Sequence, residues 1–453
     1  MFSLTRVAEI VSGELLRDSP ARVGRPTHDS RLVQPGDLFV ALQGVNVDGH
    51  QYLEDAFARG ASGALIRDAS NLPENARNLI RVPDPLQALQ TWASAWRDSL
   101  RAKLVAITGT NGKTTVKGLL STLLQGTYPT FTAPGNYNTE IGLPLALLAM
   151  PENARIGVFE LGAEQPGDIA CLSNILKPDL AILTSIGSGH LETLGSIEAV
   201  AREKWSLVSS LHDDAVCYFN AEAAYLSEFA ESTAIQCIPV GPEGGSHGYE
   251  VDAAVPQLSV RMPSIPLCLS TQLIGAHNAT NVALAASVAL ALGVEPAEIE
   301  HRASTFETQP QRLRAIQLPL GTLLDDSYNS NPNSAAAALR VLEAYPPATA
   351  HRVFVFGDML GLGQDAPEFH TEIAQLAGKL GIHTIIPVGA QATAACCAAL
   401  TGIEVVQLPR DAIPDYLLRR AKECAVPSVI LVKGSRDVGL EQLIEKVDPA
   451  TRP

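Results

Sequence analysis

Positive charge is scarce in this chain. Lys and Arg number 33 against 48 Asp and Glu, a formal net charge of −15 over 453 residues. That balance argues against nucleic acid as a partner and favours solubility. It leaves the substrate open, because an acidic protein can still hold a basic anion pocket. Metal-type cysteine spacing is also missing. The 7 cysteines are scattered and odd in number, and the adjacent Cys396-Cys397 falls in an alanine-rich, helix-like stretch. A reduced cytoplasmic setting fits that usage. No apolar run is long enough to span a bilayer and the N-terminus carries no basic-then-apolar leader pattern, so no membrane insertion is expected. Internal repeats and low-complexity tracts are absent. At ~150 residues per domain, the length predicts about three domains.

One stretch organises the rest. Residues 104–107 are apolar and partly β-branched, the pattern of a buried parallel strand. Thr108 to Gly112 is a turn with two glycines and an asparagine, where positive φ is cheap. From Lys113 the apolar residues Val116, Leu119, Leu120, Leu123 and Leu124 recur at helical spacing. Strand, glycine turn, Lys-Thr and helix together make a phosphate cradle. Backbone N–H groups and the helix N-terminus face the anion, Lys113 reaches the terminal phosphates, and a Thr hydroxyl can take Mg²⁺. Ile107 stands where the generic pattern has its first glycine, so the loop is a shorter variant.

The chain then reads as three blocks. Residues 1–101 form a small α/β unit with strands expected at 38–42 and 64–67 and a helix at 51–59. Ser30 and Arg31 precede a turn there and could hold a phosphate or a uracil edge, or simply form a solvated loop. Trp92 and Trp96, four apart on a helix expected at 87–97, have the spacing of core packing.

Residues 102–309 carry the phosphate loop and a polar run containing Asn136 and Asn138, followed by an apolar helix expected from Leu145. Strands are expected at 156–159 and 179–184, and helices at 197–209 and 282–292. Glu160 closes a strand, the position at which open α/β sheets bind ligands, and His190 follows the next one. Lys204 lies on the helix after it. Each has a plain structural alternative (a cap, a loop residue, a solvated face), but three in one block point to metal and phosphate chemistry. Asn278 could cap the helix after it or read a base edge.

Residues 310–453 alternate strands, expected at 322–324, 352–356, 384–388 and 428–432, with helices: a small doubly wound sheet. Gly361-Leu362-Gly363 imitates a dinucleotide fingerprint but lies beyond its strand and has no suitable acidic partner. Lys433-Gly434-Ser435-Arg436 would suit an anion or a helix start.

Taken together these motifs resemble the Mur ligases, the ATP-dependent amide-forming enzymes of peptidoglycan precursor synthesis. The similarity covers essentially the whole chain. It runs through Asp29-Ser30-Arg31 with Pro35-Gly36-Asp37-Leu38-Phe39, Gly109-Thr110-Asn111-Gly112-Lys113-Thr114-Thr115, Asn136 to Gly142, Glu160-Leu161-Gly162-Ala163, His190-Leu191-Glu192, Gly275-Ala276-His277-Asn278, Asp325-Asp326-Ser327-Tyr328-Asn329 and Lys433 to Arg436. Three departures stand out: Ser185 replaces a usual Asn, Gln311-Arg312 a usual Gly-Arg, and Gln364-Asp365 a usual Ser-containing stretch.

The resemblance implies a three-domain α/β fold. A small N-terminal α/β uridine-nucleotide domain (1–101) would be followed by a central P-loop-type ATPase sheet (102–309) and a C-terminal Rossmann-like doubly wound domain (310–453). It implies a cytoplasmic, monomeric ligase that uses ATP and Mg²⁺. The acid would be UDP-N-acetylmuramoyl-tripeptide and the amine D-alanyl-D-alanine. Residues 109–115 with Asn278, Arg312 and Asp326 would grip the nucleotide, and Thr114 and Glu160 would hold one Mg²⁺. His190 would hold a second, with Lys204 carbamylated by CO₂ to help position the metal. Ser30, Arg31, Asn136, Asn138 and Asn329 would meet the other substrates, and Lys113, Lys204 and His190 carry the chemistry. Another amide ligase of the superfamily is the nearest alternative. A P-loop nucleotide switch is less consistent, because the guanine-reading Asn-Lys-x-Asp is absent.

Overall fold

A computed structural model describes residues 2–17, 22–44, 47–242, 245–319, 321–400, 402–423 and 426–448. Three main sheets follow one another along the chain, and none crosses position 101 or 309.

In the first sheet the strand order is Glu14–Leu16, Leu79–Arg81, Gly63–Ile66, Leu38–Val40, Pro26–Thr27, parallel except at the first pair. Its alternating side chains feed two cores. Leu38, Val40, Leu65 and Ile80 face the central unit, while Phe39, Ala64, Ile66 and Leu79 pack under the helix Leu53–Ala58. Trp92 is buried, as its spacing suggested, and Phe2 meets both Trp92 and Trp96 edge-on at 4.9 Å.

The central sheet is wholly parallel, in the order Gln236–Val240, Val216–Asn220, Leu180–Leu183, Lys103–Thr108, Ile156–Glu160, Thr130–Thr132. The chain starts in the middle at Lys103–Thr108, goes to one edge, returns, and continues on the other side. The carboxyl ends of the strands flanking Lys103–Thr108 therefore open a crevice at a topological switch point. The unbroken apolar run is explained by helices on both faces: Leu104 and Ala106 enter one core, Val105 and Ile107 the other.

The third sheet, in the order Arg314–Leu318, Gly321–Asp326, Ser428–Lys433, His351–Gly357, Thr384–Val388, Glu404–Val405, is parallel apart from its first strand.

Several sequence expectations are corrected. The helix expected from Leu145 runs Gly142–Ala149. Pro144 is accommodated in its first turn, where a missing N–H breaks no helical bond. The helix expected at 282–292 is Ala279–Ala291, and that expected at 51–59 divides into a 3₁₀ turn Gly49–Tyr52 and the helix Leu53–Ala58. An antiparallel sheet of Glu250–Ala253, Leu258–Met262 and Leu267–Thr271 was not anticipated, nor was the strand Arg314–Leu318. Its signal was present: Leu258, Val260 and Met262 alternate with Ser259 and Arg261, and the first three are the buried ones.

Candidate active site

The crevice is enlarged into a cavity of about 1220 Å³ between the central and third units. All the central and third-unit residues expected to meet nucleotide, metal or substrate line it. Ser30 and Arg31 do not. They sit in the first unit, where the Asp29 carboxylate accepts from the Arg31 backbone N–H at 3.0 Å and from its guanidinium at 2.9 and 2.7 Å. That bonding holds Asp29 down at about 2.

The phosphate loop is shaped by its glycines and its neighbours. Gly109 (φ 142°) and Gly112 (φ 88°) adopt conformations that side chains rarely take, and a Cβ on Gly112 would collide with Asn281. Ser185, the departure from Asn, still buckles the loop to the next strand. Its hydroxyl accepts from Asn111 N at 2.8 Å and donates to Asn111 O at 3.1 Å. Lys113 begins the helix Lys113–Leu124 and donates to the carbonyls of Gly109 (2.7 Å) and Thr110 (3.2 Å). Burial lowers its pKa, opposed by Glu160 and aided by Arg312.

Glu160 is buried at the end of its strand with both oxygens engaged. Thr114 Oγ1 donates to one at 3.0 Å and Asn138 Nδ2 to the other at 3.1 Å. Lys117 Nζ lies 3.7 Å from the oxygen that Thr114 uses. Lys117 was missed in the sequence, although it is one helical turn from Lys113 and sits inside an otherwise apolar pattern.

His190 stands at the cavity wall in a left-handed turn (φ 59°) before the short helix Leu191–Leu194. Desolvation, then the ammonium groups of Lys204 and Lys113, lower its pKa and favour the neutral imidazole. Lys204 is only 3 % exposed on the helix Ile197–Ser209. Its Nζ makes no hydrogen bond or ion pair among the described residues. Burial, then Lys113, push it down to about 7. Next to it, the Glu203 carboxylate accepts from Gly167 N and Ile169 N at 2.8 Å each, tying this helix to the start of Asp168–Leu176.

The third unit closes the cavity. Asn331 and Asn111 exchange side-chain hydrogen bonds (2.8 and 3.3 Å), and Ser188 N donates to Asn333 at 3.0 Å. Arg312 lies 3.9 Å over the Tyr328 ring and reaches Thr114 at 3.4 Å. Asp326 pairs with the buried Lys433 at 2.5 Å, and Lys433 also donates to Asn329 O at 3.0 Å. Gln311, the departure from Gly, takes φ 64°, a conformation a glycine would adopt with less strain. Asn278 stands at the N-cap position of Ala279–Ala291, but its side chain makes no capping hydrogen bond. Its amide donates to Ile274 O at 2.9 Å and its carbonyl accepts from Asn281 at 2.9 Å. Asn331 and Asn333 belong to the same run as Asn329 but were not singled out from the sequence.

Chemically, this is an anion cavity with a hard-oxygen corner. Thr114 and Glu160 converge within hydrogen-bond distance, and no cluster of three or more metal-ligating His, Cys, Asp or Glu residues exists among the described residues. Two protein oxygens completed by phosphate and water suit Mg²⁺, which seldom uses an all-protein cage. The donor set therefore fits the metal.

Comparison with known proteins agrees with this geometry. Family models described as "Mur ligase family, catalytic domain", "Mur ligase middle domain" and "Mur ligase, glutamate ligase domain" match residues 26–97, 107–289 and 311–436. The UDP-N-acetylmuramoyl-tripeptide–D-alanyl-D-alanine ligase of Bacillus subtilis is 30 % identical over 98 % of this chain and 97 % of its own. The Escherichia coli protein of that name is 30 % identical with the same coverage. The crystal structure of MurF from Acinetobacter baumannii superposes with a TM-score of 0.89 at 27 % identity, covering 98 % of each chain.

Proposed function

The chain belongs to the Mur ligase family, and on that premise we propose that it joins D-alanyl-D-alanine to UDP-N-acetylmuramoyl-tripeptide at the expense of ATP. The observation that carries this reading is the convergence of Lys113, the Thr114–Glu160 pair, His190 and Lys204 at one crevice, faced by Arg312, Asp326 and Lys433. Two relatives named for this reaction, aligned over nearly the full chain, support the choice of acid and amine.

Amide formation from a free carboxylate is uphill in water. Transfer of the ATP γ-phosphoryl group to the acid gives an acyl phosphate, which the dipeptide amine attacks with loss of phosphate. The electrostatic difficulty is bringing a carboxylate to a triphosphate. Lys113 and the backbone N–H groups of residues 109–115 hold the phosphates. Thr114 and Glu160 would hold one Mg²⁺ and His190, as a neutral imidazole, a second. Bound metal supplies charge neutralisation and orientation. Arg312, Asp326 and Asn278 bind the nucleotide from two units, so the site is complete only when these are closed.

Lys204 is carbamylated in this reading. A bare ammonium beside Mg²⁺ is electrostatically unfavourable, and the depressed pKa keeps a neutral amine available. The ammonium gives up one proton to solvent, the neutral amine nitrogen then bonds to CO₂ and loses a second proton, and the former cation becomes a carbamate anion that would help orient the metal. Residues 1–101 bind the UDP end of the acid, with Ser30 and Arg31 in that role. Residues 102–309 hold ATP with Asn136 and Asn138 toward the acid, and 310–453 deliver the amine past Asn329. A monomer in the cytoplasm completes the reading, since one chain supplies every named group and ATP and UDP-linked acids are cytoplasmic pools. The test is to incubate the protein with ATP, the UDP-linked tripeptide and D-alanyl-D-alanine and weigh the products. ADP, phosphate and the pentapeptide adduct are expected; ATP hydrolysis without an adduct sinks the proposal.

A further inference from the structure

Lys117 has no part in the chemistry derived above, yet it is among the least expected side chains in the molecule. It is 4 % exposed in the interior of the phosphate-loop helix. Burial lowers its pKa and the nearby Glu160 opposes that. A buried lysine needs a reason, and its contacts give one. Nζ donates to Ala133 O at 3.1 Å and Gly135 O at 2.7 Å, and lies 3.7 Å from Glu160 Oε2. Three points on two different segments therefore meet at one ammonium.

Those segments are the ones that must be held in register. Glu160 Oε2 is the oxygen that Thr114 also touches, so it faces the hard-oxygen corner. Glu160 Oε1 accepts from Asn138, and Asn138 lies on the loop whose residues 133 and 135 Lys117 holds by their carbonyls. Backbone bonds fix the main chain at the two ends of the irregular loop 133–138, Ala133 N to Val158 O at 2.9 Å and Gly162 N to Asn138 O at 2.8 Å, but they do not reach the Glu160 carboxylate itself. Without Lys117, the loop's contact with the carboxylate would rest on Asn138 alone.

We propose that Lys117 is a positioning residue that locks the Asn136–Asn138 loop to the metal-facing carboxylate of Glu160. The metal-facing oxygen and the substrate-facing amides are then presented as one rigid unit. The lock depends on the direction of three contacts from a compact ammonium, so charge alone does not reproduce it. The inference rests on the ligase reading for the identity of the metal site.

The test compares Lys117→Met and Lys117→Arg with the wild-type full-length protein. Each is measured for Mn²⁺ binding in the presence of ADP by electron paramagnetic resonance of free Mn²⁺, for kcat and KM of each substrate, and for thermal melting. Wild type should bind Mn²⁺ and ligate; if it does neither, the ligase reading fails first. In Lys117→Met, Mn²⁺ binding should weaken ~10-fold or more and kcat fall ~10²-fold, with KM for ATP little changed. Lys117→Arg should melt close to wild type and still lose Mn²⁺ affinity, because a planar fork cannot meet the same three points. Wild-type Mn²⁺ binding and kcat in a folded variant overturn the proposal. So does tighter Mn²⁺ binding, which would make the ammonium only a competitor of the metal. If neither variant folds, Lys117 is a core element alone and the proposal also fails.

Discussion

Lys204 provides the sharpest test of the mechanism. Its pKa is pushed down from 10.5 to about 7, chiefly by burial and then by Lys113. At pH 7 about half of the side chain is then neutral amine, against ~0.03 % for an unperturbed lysine, so the form that reacts with CO₂ is enriched ~10³-fold. Uptake should follow the neutral fraction, rising ~10-fold from pH 6 to pH 8. Labelled ¹³CO₂ should give one carbamate resonance that disappears in Lys204→Ala. That variant should lose ~10²-fold or more of kcat, and a small carboxylic acid such as acetate should restore part of it by filling the vacated anion site. The pKa shift also has a stability consequence. Between about pH 7 and 10.5 the unfolded chain holds the Lys204 proton and the folded chain does not, so stability contributed through this group rises with pH across that window. In CO₂-free buffer Lys204→Met should therefore melt higher than wild type at pH 7, and the gain should fade towards pH 10. Full activity in Lys204→Ala, or an unchanged carbamate resonance in it, would refute the reasoning.

Lys113→Ala should lower turnover ~10²-fold or more with the fold intact, because the phosphate loop loses its own cation; near-normal steady-state rates would remove the ATP-site assignment. Closure between the central and third units should respond to ligands, and X-ray scattering curves unchanged by saturating ATP and acid would count against it. Asn333→Ala removes the bond from Ser188 N, worth ~0.5–1.5 kcal/mol. It should raise KM for ATP a few-fold and shift the scattering towards the open form, and neither change would mean that this contact is not part of the closure.

Much of this site was legible because its chemistry is local. A buried strand, a glycine turn and Lys-Thr at a helix start must be contiguous to cradle phosphate, so residues 109–115 announce themselves. Glu160 was readable from its place at the carboxyl end of a strand and His190 from the loop after the next one. Lys117 was not, because a lysine on a helix is usually solvated and only the loop carbonyls at 133 and 135 reveal its burial. Gly361 to Gly363 shows the converse. It imitates a nucleotide motif, but its two glycines serve positive-φ turns at the seam with Glu192, where Gly361 O accepts from Glu192 N at 3.5 Å.

By itself the sequence determined the three α/β units, the order of their motifs and a phosphate cradle, because period, turn residues and cradle composition act over a few neighbouring positions; the ligase chemistry came from the resemblance of those motifs to a known family. Tertiary structure decided which distant groups share one environment. Asn111 meets Asn331 and Asp326 meets Lys433 only through strand order and closure. Burial and like charge then depress Lys204 to about 7. Those effects depend on dielectric and on distances of a few ångströms between segments tens to hundreds of residues apart, and local pattern carries neither quantity.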